Sequence, residues 1–159
     1  MASVFFGKYR GIVESVDDSE GLGRITAKVP EVFLDQVSPW CWPCTSFAGP
    51  GYGWVSLPQQ GDGVWIEFEA GDLSRPIWTG FWWAAQERPA GDSTQKRGLW
   101  TPAGHQLSFD DENKEILLKH AEGAEIFLGS SEIRIKTGGQ SLVIDSSGFN
   151  FNNGALVVS

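Results

Sequence analysis

Basic residues are scarce in this chain. Its 12 Lys and Arg are outnumbered by 20 Asp and Glu, which leaves a formal net charge of −8. The deficit is even: residues 1–100 carry 8 cations and 12 anions, and residues 101–159 carry 4 and 8. Neither half offers the basic footprint that nucleic-acid binding needs, so no nucleic acid is expected as a partner. Long apolar runs are also missing. No stretch of about 18 apolar residues could form a bilayer-spanning helix. The start, MASVFFGKYRG, lacks the apolar core of a secretory leader, so synthesis in the cytoplasm is expected. Helical periodicity is the third absence. The 20 glycines and 8 prolines interrupt the chain often, and no i, i+3, i+4 apolar stripe stands out, whereas short alternating runs recur. The expected class is all-β.

Residues suited to chemistry are few. Cys41 and Cys44, in WCWPCT, have the C-x-x-C spacing of a redox pair or half a zinc site. A zinc site needs two more ligands, and only His105 and His120 are present, far away in sequence. Residues three apart on a strand face opposite ways, so two structural thiols are expected, with an adventitious disulfide or a redox role as the alternative. The carboxylate pairs Asp17-Asp18 and Asp110-Asp111 read as turn residues. With no partner base in reach of them, no catalytic, metal-binding or cofactor-binding residue is assigned, and the chain reads as a non-enzyme.

What is present is strand. Five short strands are expected in the first part: Gly11 to Val16, Arg24 to Pro30, Trp40 to Thr45, Gly63 to Glu69 and Ile77 to Trp83. Ile25, Ala27 and Val29 share one face of the second. Val64, Ile66 and Phe68 share one face of the fourth, with Trp65, Glu67 and Glu69 opposite. Five strands at this spacing suit a small closed barrel of the OB type.

The composition then changes. All eight tryptophans lie between Trp40 and Trp100. From Thr101 the chain becomes repetitive, with units starting at Gly104, Gly123 and Gly139. Each reads G-x-x-Φ-x-Φ, a polar turn, then Φ-x-Φ. The apolar pairs are Leu107/Phe109 with Ile116/Leu118, Ile126/Leu128 with Ile133/Ile135, and Leu142/Ile144 with Phe149/Phe151. This predicts repeated hairpins. A lone ribbon with one apolar face is marginal in water and aggregates through its edges. Full burial of each such side chain is worth roughly 1.5–3 kcal/mol. Several copies with their apolar faces turned inward round one axis would supply that burial, and a three-sided β-prism fits. The boundaries expected are 1–86 for the barrel, 87–98 for a polar connector and 99–159 for the prism.

Gly61 to Trp83 concentrates aromatic and acidic residues: Trp65, Trp78, Trp82 and Trp83 beside Asp62, Glu67, Glu69 and Asp72, with Arg75 the one cation. Pro58, Gly61, Asp62, Val64, Ile66, Phe68, Gly71, Asp72, Arg75, Pro76 and Gly80 follow the pattern P-x-x-G-D-x-V-x-V-x-F-x-x-G-D-x-x-R-P-x-x-x-G. This stretch resembles the OB-fold hallmark of contractile-tail spike proteins: phage baseplate assembly protein V, the type VI valine-glycine repeat spike, and the spikes of extracellular injection particles. GIVESVDDSEGLGRITAKVPEV is similar to the family's first hairpin, and Thr101 to Asp111 to the segment where its β-helical needle begins.

The resemblance implies an N-terminal five-stranded OB barrel and a C-terminal intertwined trimeric β-prism or β-helix. It implies a homotrimer in a tail baseplate, a hub protein above the barrel, and mechanical puncture of an envelope. Two departures matter: no muramidase domain stands between barrel and needle, and no histidine-x-histidine iron pair is present. His105 falls in the needle-start motif and His120 at a hairpin end; both read as structural or solvent-facing. The tryptophans are expected in barrel core and in trimer or hub contacts, and Arg75 is expected to pair with Asp72 or Glu69 or to be solvated. ALVVS, Ala155 to Ser159, suggests a blunt apolar end capped by a small conical protein of the proline-alanine-alanine-arginine type. The rival readings are an OB-fold module for carbohydrate or nucleic acid on a trimerising stalk, and a cell-wall hydrolase.

Overall fold

The structure, a computed structural model, describes residues 4–158. Met1–Ser3, where no leader is expected, and Ser159, the last residue of ALVVS, lie outside the described residues. The chain divides into two units, Met1–Glu87 and Arg88–Ser159.

In the first unit the alternation of apolar residues builds a barrel. Its strands are β1 (Tyr9–Ser15), β2 (Thr26–Lys28), β3 (Trp42–Pro43), β4 (Ala48–Gly49), β5 (Tyr52–Gly53), β6 (Gly63–Phe68) and β7 (Pro76–Phe81). Five of them form a sheet in the order β2-β1-β6-β7-β3, with β3 parallel to β7. The ring closes where Ile25 and Cys41 exchange both backbone hydrogen bonds, at 3.2 and 2.8 Å. The third expected strand is thus only two residues plus this bridge. β4 and β5 make a separate small hairpin.

The core contains the residues that the alternation selects. Ile25, Ala27 and Val29 are buried, as are Val64, Ile66 and Phe68, with Val13, Cys41 and Trp78 completing the cluster. One helical turn, α1 (Pro30–Phe33), starts on a proline whose missing N–H costs nothing there. It places Val32 and Phe33 against the core, and Phe33 meets Phe68 edge to face at 5.8 Å. Gly63 is required by close approach: a Cβ there would lie 2.6 Å from the Trp82 indole. That ring crosses the strand and donates from Nε1 to the Val64 carbonyl at 3.1 Å.

The second unit is a meander. Its strands are β8 (Lys96–Trp100), β9 (Gln106–Asp110), β10 (Glu115–Lys119), β11 (Glu125–Leu128), β12 (Glu132–Thr137), β13 (Gln140–Asp145), β14 (Gly148–Phe151) and β15 (Leu156–Val158). They pair antiparallel in chain order, β8 through β15. Asp110 and Asp145 tie the turns after β9 and β13. Asp110 accepts from the Glu112 and Asn113 N–H groups at 3.1 Å, and Asp145 from the Ser147 N–H at 2.7 Å. The β12–β13 turn is Gly138-Gly139, with Gly138 at φ +52°. β8 begins at Lys96, ahead of residue 99, because Arg97 and Leu99 pair with Phe109 and Leu107.

The intertwining expected of the needle is narrowed by this pairing. Strands β9 to β14 each have both neighbours from their own chain. What they leave open to other copies is side-chain packing on a face, together with the outer edges of β8 and β15.

Candidate functional site: an uncovered apolar face

The register of the meander lines the repeat up into two rows. Leu99, Leu107, Leu118 and Ile126 stand opposite one another in turn, and the row continues through Ile135, Leu142 and Phe151 to Leu156. The second row runs from Phe109 through Ile116, Leu128, Ile133, Ile144 and Phe149 to Val158. Rows cross the strands at about 4.8 Å per strand, so eight strands extend roughly 34 Å. The sequence repeat identifies twelve of these side chains. Leu99, Leu156 and Val158 extend the rows, and their signal is the same alternation carried past the glycine-led units.

This face is uncovered. Ile126 is 39% exposed, Ile135 43%, Phe149 46% and Leu156 57%. Among the described residues of the second unit no hydrophobic side chain is buried; the buried ones are Ser108 and Asp110. The reverse face carries polar closure. Arg134 pairs with Glu125 at 3.4 Å and with Glu132, and its guanidinium lies 4.5 Å from the centre of the Phe127 ring. Asp110 accepts from Asn113 and from Lys96, which hold its carboxyl below the ordinary range, the Asn113 backbone N–H first.

The chemically suited residues are placed as follows. Cys41 is buried, its Sγ 3.3 Å from Ser38 Oγ, and burial pushes its thiol up to about 11. Cys44 is exposed. Arg75 pairs with Glu69 at 2.5 Å, while Asp72 accepts instead from the N–H and hydroxyl of Ser74. Asp17-Asp18 is indeed a turn, and Asp18 anchors it. Its carboxylate accepts the N–H groups of Glu20, Leu22 and Arg24 and the Arg24 guanidinium at 2.7 Å. The guanidinium, first among these, holds Asp18 well below the usual carboxylate range.

The structure brings His105 and His120 together, although His120 reads as isolated in the sequence. Their ring centres are 4.5 Å apart. No group of three or more His, Cys, Asp or Glu side chains is gathered as a metal would require among the described residues. No helix among them is long and apolar enough to cross a membrane.

The tryptophans divide between core and surface, and the core takes fewer of them than the sequence suggests. Only Trp78 enters the barrel core, where its Nε1 donates to the Gly23 carbonyl at 3.1 Å. Others stay outside and stack on arginines: Arg10 lies 5.5 Å from Trp65 and 5.1 Å from Trp82, and Arg24 lies 5.5 Å from both Trp40 and Trp42. An indole is too large for most inward positions of so small a barrel, and its face gains from an adjacent cation. Trp54 and Trp83 are exposed. Trp54 borders a groove of about 590 Å³ lined also by Leu22, Pro43, Val55, Leu57 and Phe81.

Two family models match this chain. Residues 9–83 match the type VI secretion system/phage-baseplate injector OB domain, the region of the barrel. Residues 97–157 match the phage baseplate V C-terminal trimerisation domain, the region of the meander. No curated protein matches the chain. The uncovered apolar face thus lies in the part of the molecule that the family uses to assemble three copies. A closed OB barrel followed by a trimerising β-sheet unit, each matched over nearly its whole length, places this chain in the spike protein family of phage baseplates and type VI secretion injectors.

Proposed function

We propose that this protein is the central spike of a contractile baseplate, driven through a target envelope when the sheath contracts. The observation that carries this reading is the pair of apolar rows left open in the trimerisation region. Three sheets with these faces turned inward close into a three-walled rod. Within each wall strands β9 to β14 are hydrogen-bonded on both sides by their own chain, and between walls the rows pack. Such a rod is stiff because bending it would break ladder bonds and open packed side chains together. Force transmission of this kind asks for no catalytic residue, and the reading is of a non-enzyme.

In this proposal residues 1–86 are the barrel, 87–98 a connector whose last residues, Lys96 to Gly98, already pair in β8, and 99–159 the needle. The baseplate hub docks on the barrel, where Tyr52, Trp54, Val55 and Leu57 are exposed at or beside the groove. A small conical tip protein of the proline-alanine-alanine-arginine type covers Leu156, Val157 and Val158, exposed on the edge strand β15. The chain is made in the cytoplasm and assembled into a virion or phage-tail-like particle.

The test is electron cryomicroscopy of particles containing this spike, imaged extended and contracted. The spike should occupy the baseplate centre before contraction and lead the tube after it. A spike that remains with the sheath overturns the reading. Particles built with a chain truncated after Asn153 should keep the trimer and lose the tip polypeptide.

A further inference from the structure

The histidine pair shares the position of the apolar rows but not their chemistry. His105 immediately precedes β9, and His120 immediately follows β10. The ladder pairs Leu118 with Leu107 and Lys119 with Gln106, so the next step sets His120 beside His105. The two-residue alternation puts both rings on the face that carries Leu107 and Leu118. Each Nδ1 accepts a backbone N–H from the turn after β10. Ala121 donates to His105 at 3.2 Å, and Glu122 donates to His120 at 3.2 Å. A ring nitrogen that accepts carries no hydrogen, so each neutral imidazole holds its hydrogen on Nε2. A further proton would have to sit on Nδ1, pointing at an N–H.

We infer that His105 and His120 form a proton-sensitive joint in the trimer. Neutral rings hold the β10–β11 turn and pack on the shared face; protonated rings let go of the turn and repel one another. The inference rests on the inward-facing reading above, under which three copies gather six imidazoles at one level. Few charged groups stand around the joint. Glu122 is in the same turn, and its own N–H is one of the donors. Lys119, Glu125 and Lys136 pair with one another in register on the reverse face. Just after β8, Thr101 is uncharged and its Oγ1 accepts the His105 backbone N–H at 3.0 Å. Arg97, a cation farther along the same face, is paired with Asp111. The nearest neighbours in the row are Leu107 and Leu118. The same geometry argues against a metal: ligation through Nε2 would require the hydrogen on Nδ1, where the N–H donors stand.

The experiment is subunit exchange between labelled and unlabelled full-length trimers at pH 7.5 and 5.5, at fixed ionic strength, for wild type and H105N/H120N. The Asn Oδ1 accepts an N–H and cannot take up a proton in its place. Wild-type exchange should accelerate at least about tenfold at pH 5.5, and exchange of the double variant less than about threefold. Equal acceleration in both overturns the inference, as does a wild-type rate that ignores pH. Where the double variant does not assemble, H120N alone should at least halve the acid response, and a full response there overturns the inference. Stabilisation of the wild type by added zinc at pH 7.5, lost in H105N/H120N, would overturn the tautomer on which it stands. A chain that is not trimeric at pH 7.5 removes the inward-facing reading itself; a trimer indifferent to pH removes only the joint.

Discussion

In the barrel unit the inward-facing apolar side chains are enclosed by their own chain: Val64 and Ile66 are 0% exposed and Ile25 and Val13 1%. In the meander unit the equivalent side chains stay more than a third open on every strand but β13, from Ile116 at 37% to Leu156 at 57%, and on β13 Leu142 and Ile144 are half-buried. Both units use the same two-residue alternation. The difference is closure. Five strands curl until the Ile25–Cys41 bridge joins the ends, and one sheet becomes its own cover. Eight strands in plain succession have no such bridge among the described residues, and the cover must come from other copies. Alternation in a sequence therefore marks a face to be buried, and the connectivity of the strands decides whether one chain can do it.

The comparison breaks most visibly at Ile135. I135D would place three like charges among the inward rows, an arrangement that water cannot relieve. Light scattering at micromolar concentration should show no trimer, while the near-ultraviolet signal of the barrel aromatics persists. An unchanged trimer would put Ile135 on an outer surface. The matching change in the barrel is I66A, which leaves a cavity costing about 2–5 kcal/mol. Denaturant unfolding should show the barrel transition moved to lower concentration with trimer formation retained.

Asp18 sharpens the contrast on a smaller scale, since the barrel relies on a charged anchor for the loop between β1 and β2. Its carboxyl titrates lower in the folded state than in the unfolded chain. The resulting stability is therefore present above about pH 4 and is lost as pH falls below it. D18N should lower the barrel's thermal midpoint at pH 7, and the gap from wild type should narrow on acidification below about pH 4. The smallest effects belong to the thiols. C44S should change stability by less than about 0.5 kcal/mol, and C41A by about 1 kcal/mol for a buried site. The double replacement should leave particle assembly intact; loss of a bound metal on that replacement would contradict two structural thiols.

Much of this was legible in the residues. The faces of β2 and β6 follow from alternation, and the three glycine-led units identify the meander strands together with the pairs that face each other. Less legible were features set by distance in space. The brevity of β3 depends on the bridge from Cys41 to Ile25, which no local pattern encodes. The outward tryptophans depend on how little room a five-stranded barrel has. The meeting of His105 with His120 depends on the register of one hairpin, and that register, once drawn, was the signal that could have found it.

The order of the meander has a consequence for length. Every ladder in it joins strands adjacent along the chain, so each hairpin contacts only the hairpins on either side. Removal of residues 123–138 would take out β11 and β12 and set Leu118 opposite Leu142 and Ile116 opposite Ile144, with both rows unbroken. Duplication of the same stretch would lengthen both rows by two strands. The reach of the protein is thus a number that can be counted in hairpins. It is free to change by insertion or loss of a whole unit without redesign of any surviving contact, and a population of such chains can vary in reach while keeping one cross-section.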